Sequence, residues 1–419
     1  MVPGRCLVLF AAACWADPIV FNDDGAWNWF QDERAVIEGR HLYVGSVAAG
    51  VRDPRRAGAV EVVTHNLETG QQARTVLHQG QTAVERKRWL NDHSAPALAS
   101  LGNGRVVAAF TLHSLDNLIH FRTATRQSWD AEGFTVAATP ESRVCFPSLV
   151  ARQGQVYAFF RGLDGRSMPS VTRSAAADLE FAVPFLWLPP ATAAKPPVPY
   201  VKYATTGGGP IHAIYTLGHH FDYGNQLVHR SFTDPAQPSA PTVIYQAGTT
   251  SVVWLADAAV DRNNRPFAAY SIQPNSLSLP MAERGRDHRY RYAYWDGSRW
   301  VDTALAYAGS RVHTYADGDD CTGLVALDPY DPNTVYLSAN ADPATGAPLP
   351  HWEIFEARTR DRGKTWSFVT VTSKSKVDNL RPIVPADPRY RVLLWMQGTM
   401  KTYTDYDFRI VGNVAVRGK

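Results

Sequence analysis

Cysteine is scarce in this chain, with four residues in 419. Cys6 and Cys14 fall in an N-terminal segment that reads as removable, which leaves Cys145 and Cys321. A disulfide scaffold is therefore excluded; one bridge or two separate thiols remain, and stability must come from a buried core. No stretch is apolar enough to span a bilayer. Charge of one sign is not in large excess either. The formal net charge is +3 and the pI near 8.6, too small a bias to argue for a nucleic-acid partner. There is no phosphate-binding glycine loop, no Gly-x-Ser-x-Gly, no HExxH and no CxxC, so the common nucleotide, serine-hydrolase, zincin and redox chemistries have no foothold. Helical periodicity is almost absent from Asp17 onward, and no long helix is expected.

What is present is a hydrophobic content of 45% and an aromatic content of 11%, which suit a well-buried globular chain. Arg5, the small apolar run Cys6–Cys14 and Ala16 have the order of a secretory signal. Residues 1–16 are accordingly expected to be a signal peptide and the protein to be secreted or periplasmic. The Ala-Ala-Ala-Cys run ending at Cys14 resembles a lipoprotein cleavage site without the branched apolar residue that opens one, which leaves lipid anchoring as the lesser alternative.

Residues 17–419 read as a single domain of short strands. His41–Gly50, Ala59–Gly70, Gln155–Gly162, Pro210–Gly218 and Thr334–Asp342 are β-branched or aromatic, mostly alternating, and bounded by Gly, Asn, Asp or Pro. Asn91–His120 reads as a hairpin: strands near Ala95–Ala99 and Val106–Phe110, a Gly102–Gly104 turn, and a histidine (His93, His113) at one end of each. Thr359-Arg-Asp361-Arg-Gly363-Lys-Thr-Trp366 fits the Asp-box of β-propeller blades, and Trp295-Asp296-Gly297-Ser-Arg-Trp300 is a degenerate copy. In such a hairpin Asp caps the turn, Gly takes the special backbone angle and Trp packs between blades. That motif argues fold, not chemistry. At four strands and roughly 50–60 residues per blade, an all-β, seven-bladed β-propeller is expected, with six or eight blades as alternatives. Pro189–Pro199 is read as an inter-blade loop.

Gly25–Val36, Leu42–Ala48, Asn91–Leu98, Asp116–Arg122, Cys321–Ser338, Asp378–Pro385 and Tyr403–Asp407 resemble the BNR-4 repeat family. Among its characterised members the chain is similar to the seven-bladed propeller lyases that degrade ulvan, a sulfated rhamnose–uronate polysaccharide. The resemblance spans nearly the whole chain after residue 16. It implies a groove carrying two histidines, a tyrosine and an arginine, here His93, His113, Tyr157 and Arg173. A uronate lyase must neutralise the carboxylate, remove the C5 proton and protonate the C4 oxygen that leaves. Arg173, with His113, suits the first task. His93 suits the second near neutral pH and Tyr157 the third, although the two can exchange roles or Tyr157 can serve both. Asn117, Tyr223, Arg34, Lys202, His220, Asn225 and Arg381 occupy loop or strand-end segments and are expected to line the groove. The runs Arg52, Arg55, Arg56 and Arg86, Lys87, Arg88 either hold sulfate groups or form a solvated surface.

Taken one at a time, these residues also have plain structural readings: Tyr157 as a half-buried strand residue, Arg173 as a surface ion-pair partner, His120 and His212 as core histidines. Asp317, Asp319, Cys321 and His351 have the donor types of a structural zinc site, without the compact spacing of a finger. No organic cofactor is expected. The partner implied is an anionic, sulfated, uronate-containing polysaccharide, met by a monomer. The alternatives are a glycoside hydrolase of the Asp-box propeller type, which needs paired carboxylates, and a carbohydrate-binding propeller without catalysis.

Overall fold

Short alternating strands can bury only one face each, so they must stack sheet on sheet, and a ring of sheets does this without leaving long edges. The computed structural model, which describes residues 17–190, 197–310, 312 and 324–418, closes seven antiparallel sheets into a seven-bladed β-propeller. The blades occupy residues 35–78, 97–137, 145–186, 199–246, 252–309, 325–370 and 378–416. Ile19–Asn22 pairs with Asp405–Val416 and supplies the outermost strand of blade 7, so the two ends of the chain lock the ring. From blade 1 round to blade 7, the first strand of each blade packs on that of the next. The signal-peptide segment and most of Pro189–Pro199 lie outside the described residues.

The two Asp-box motifs behave as read. Thr359–Trp366 turns between the strands Pro348–Arg358 and Ser367–Thr370, with Asp361 accepting from the Thr365 N–H at 2.9 Å and Thr359 Oγ1 from the Gly363 N–H at 2.8 Å. Gly363 has φ +83°, and Trp366 donates to the Ala304 carbonyl while meeting the Tyr292 ring edge-on at 5.5 Å, so it bridges blades 5 and 6. In the degenerate copy Asp296 caps the Ser298 and Arg299 N–H groups.

One short α-helix, Ala83–Trp89, is found among the described residues. It starts at a reciprocal capping box between Thr82 and Glu85 and buries only Trp89, which explains why no long apolar periodicity announces it. Among the described residues, no helix is long and apolar enough to cross a membrane.

The feature without a counterpart in the strand pattern is the segment 27–34, which threads the centre of the ring with every residue but Glu33 buried. Its carbonyls accept from blades 1, 2 and 3: Arg34 from the Gly45 N–H, Glu33 from Leu98 and Asp32 from Leu149. Its side chains reach further. Asp32 accepts from Lys202 at 2.7 Å, Phe30 meets Trp254 at 5.6 Å, and Trp27 exchanges bonds with Arg381. Beneath this plug, an opening of about 220 Å³ is lined from all seven blades, with Glu33 at its floor.

Candidate active site

The hairpin strands are Ala97–Gly102 and Arg105–Thr111, a residue or two from their expected bounds. His93 sits just before the first, in a 3-10 turn (Asp92–Ser94), and His113 just after the second. Because the strands are antiparallel, both positions fall on one face of the propeller. The imidazoles stack there with centroids 4.2 Å apart and planes 28° apart. The structure therefore brings together the two histidines that the sequence set at the hairpin's ends.

Their hydrogen-bond partners make the two rings chemically different. Asn91 Oδ1 accepts the His93 backbone N–H at 3.0 Å, which turns its amide nitrogen toward His113 Nδ1, 3.1 Å away. That ring nitrogen must then accept, so the proton of a neutral His113 is on Nε2. Neutral it is: burial first, then the charges of His93 and Arg161, push its pKa down to about 2 against the opposing pull of Asp92. His93 Nδ1 instead lies 2.5 Å from Asp92 Oδ1, in an ion-pair contact too bent for a directed hydrogen bond. A carboxylate at Nδ1 keeps a proton there and leaves Nε2 with its lone pair. One ring thus presents a base and its neighbour a donor.

Asp92 is fully buried, and its second oxygen takes a 2.6 Å bond from Arg381 Nη1. Burial pushes the Asp92 carboxyl up, but His93 and Arg381 outweigh it and hold it well below the usual carboxylate range. The Arg381 guanidinium lies 4.6 Å over the Trp29 ring, so the base is anchored through Asp92 to the central plug. Gln31 adds a side-chain bond to the His93 carbonyl.

Around the pair stand Tyr403, edge-on to His93 at 5.1 Å and 44% exposed, and Phe146, 5.2 Å from His93 and 5.5 Å from His113. Tyr403 arrives on the turn between Tyr390–Thr402 and Asp405–Val416, pinned by its carbonyl to the Asp92 N–H. Arg161 ends the second strand of blade 3, the position that His113 follows in blade 2. Its guanidinium is sandwiched between Phe146 (4.6 Å) and Tyr200 (4.4 Å), with Nε and Nη1 lacking partners.

Tyr157 and Arg173 do not join this cluster. They pair across neighbouring strands of blade 3. Tyr157 is 4% exposed in the core with Phe159, four residues and roughly 13 Å down the strand from Arg161. Arg173 points to the surface and pairs with Asp234 at 3.6 Å. Arg34 and Lys202 are likewise not groove residues: both are buried beside Asp32, in the plug, where each neutralises a carboxylate. Arg381 supports the site from below without facing the groove. Asn225 is buried and clamps both backbone groups of Val253, and Asn117 donates to the Thr139 carbonyl. His220 is 8% exposed against Trp254. Of the residues expected to line the groove, Tyr223 and, at its floor, the buried Asn225 line a cleft beyond Arg161.

Cys321, Asp317 and Asp319 lie outside the described residues. His351 Nδ1 sits 3.2 Å from Asp378 Oδ1, which also accepts the Trp352 N–H, and no group of three or more metal-ligating side chains occurs among the described residues.

Sequence reasoning passed over Asp92, Arg161 and Tyr403, although Asn91-Asp92-His93 sets amide, carboxylate and imidazole in a row and Arg161 closes a strand already singled out. Fold and cluster together define a seven-bladed β-propeller with a paired-histidine site on one face. No family model matches the chain, and no curated protein matches it in sequence. Similar solved structures are a PL25 ulvan lyase bound to a glucuronate–rhamnose 3-sulfate repeat (TM-score 0.67, 14% identity, covering 94% of this chain and 95% of that one) and the polysaccharide lyase Uly1 (0.62, 9%, 96% and 99%). A puromycin-hydrolyzing peptidase from Mycobacterium tuberculosis also shares the fold (0.53, 12%), with 98% of this chain aligned to 56% of that one.

Proposed function

We propose that this protein is a secreted polysaccharide lyase that cleaves a uronate-containing polymer by β-elimination, ulvan and its desulfated form being the first substrates to try. The observation that carries this reading is the stacked pair of histidines with opposite proton placement, beside a guanidinium whose Nε and Nη1 lack partners. His93 Nε2 takes the C5 proton. Arg161 and the His113 Nε2–H hold the uronate carboxylate, which stabilises the carbanion. The C4–O bond breaks as the C4–C5 double bond forms, and the Tyr403 hydroxyl protonates the departing oxygen. Arg161 and Tyr403 thereby take the tasks that the resemblance gave to Arg173 and Tyr157. Two polysaccharide lyases among the similar folds support the reaction class. Hydrolysis is less well served, because Asp92, the carboxylate nearest the pair, is buried and committed to Arg381 and His93.

The test is ultraviolet absorbance from the conjugated, unsaturated uronyl end when purified protein meets ulvan and a panel of other polyuronates. His93→Ala and Arg161→Ala are expected to lower kcat/KM by about 100-fold or more, since one removes the base and the other the countercharge of the carboxylate, whereas Tyr157→Phe retains turnover. Absence of absorbance on every polymer would sink the lyase reading; new reducing ends without it would indicate hydrolysis.

A further inference from the structure

Past Arg161 the face opens into a cleft of about 610 Å³ between the ends of blades 3 and 4, lined by Arg161, Tyr200, Phe221, Asp222, Tyr223 and Gln226 among others. Such a volume falls within the range of small-ligand sites and holds a sugar unit or two. Phe146 touches both histidines and carries Arg161 on its face, so one ring separates the proposed reaction centre from this space.

The charges in the cleft are few and fixed. Arg161 stands at its inner wall, held between two aromatic rings. Asp222 stands further out, exposed, its Oδ2 accepting the His219 backbone N–H at 2.6 Å. Among the described residues no other carboxylate, lysine or arginine lines the cleft, and the His219 imidazole stands beside Asp222: Phe221 is 48% exposed and Tyr223 half-buried, the kind of faces on which the C–H side of a sugar ring stacks, while Ser167 and Gln226 offer hydrogen bonds. We propose that this cleft is a subsite for an uncharged, unsulfated sugar next to the uronate. The proposal rests on the lyase reading, because that reading engages Arg161 with the uronate carboxylate and leaves Asp222 as the charge that an incoming sugar meets. A sulfate group placed there is repelled at short range, where salt screens poorly.

The experiment is a calorimetric binding titration of uronate-containing oligosaccharides, native sulfated and chemically desulfated, against wild type and Asp222→Asn. Asparagine retains an oxygen for the His219 N–H, so the turn is preserved. Desulfated oligosaccharide is expected to bind wild type about five-fold tighter than the sulfated form. In Asp222→Asn the two affinities converge to within about two-fold, through a gain for the sulfated ligand alone. Equal or tighter binding of the sulfated form to wild type overturns the proposal, as does a preference that survives in Asp222→Asn, or no binding of either ligand. Because binding and turnover are read separately, failure here is distinct from failure of the lyase reading, which would appear as no unsaturated product from either polymer.

Discussion

Asp92 has two oxygens and two clients: Oδ1 faces His93 Nδ1 and Oδ2 takes the Arg381 bond. Asparagine at this position has one oxygen. Arg381 can only donate, so the amide oxygen of Asp92→Asn turns to the guanidinium and the NH₂ turns to His93. His93 Nδ1 must then accept, its proton moves to Nε2, and the base is lost without any change of side-chain shape. We predict a fall in kcat of roughly 10-fold or more with KM little changed. A side-chain ¹⁵N spectrum checks the cause directly: the His93 signals exchange their protonated and lone-pair characters while those of His113 stay put. A variant that loses kcat without that exchange would point to misfolding instead. His93 and His113 were legible in the sequence because a hairpin places its two ends together whatever else the fold does. Tyr157 misled because Tyr157, Phe159 and Arg161 share one face of one strand, and only burial along that strand decides which of them reaches the groove.

At the scale of elements, the Asp-box turn was the most legible feature, since its residues act on their own backbone within eight positions. Gly363 is its most constrained member: φ is +83°, and a Cβ there would stand 2.8 Å from Thr303 Oγ1 and 3.1 Å from the Tyr292 ring. Gly363→Ala therefore adds left-handed strain to a close contact between blades 5 and 6. A loss of about 1–3 kcal/mol is expected, read as a lower denaturation midpoint. Gly346, also at positive φ but with nothing near its missing Cβ, is the control and loses less when changed to alanine. The central plug was illegible for the converse reason. Its aromatics and charges, Trp27 to Arg34, show no strand period, and the segment's contacts are spread over blades 1 to 5 and 7, so nothing local in the sequence signals burial.

The whole ring depends on that plug and on several histidines kept neutral inside it. Lys202 is fully buried against Asp32, and removing it leaves a buried carboxylate facing only Arg34 at 3.4 Å. Lys202→Ala is expected to cost about 3–5 kcal/mol, with turnover per folded molecule retained, because the residue lies under the site and not in the groove. The pH response follows from five buried imidazoles. Burial, aided in some by a neighbouring cation or imidazole, brings His78, His120 and His212 down to about 4, His229 to about 3 and His113 to about 2. Each folded-state value lies below the unfolded one near 6.5. The stability they allow is therefore complete above that pH; as pH falls below it, the unfolded chain takes up protons that the folded chain refuses. Glu33 works the other way. Its carboxyl opens into the enclosed channel, where the walls keep bulk water away; that desolvation, then Asp32 and Asp257, raise it to about 8, so it favours the folded state as pH falls from there toward its unfolded value. Asp116 and Asp257 are raised too, but His41, His65 and Asp92 are lowered beside the five imidazoles, and that larger side decides the sign: the melting temperature is expected to drop steadily from pH 6.5 toward pH 4. Replacing the stacked pair His212 and His229, whose ring nitrogens meet at 2.9 Å, by two glutamines removes two of the five titrations and should flatten that slope. A slope unchanged in the double variant would mean that acid unfolding is governed by other groups.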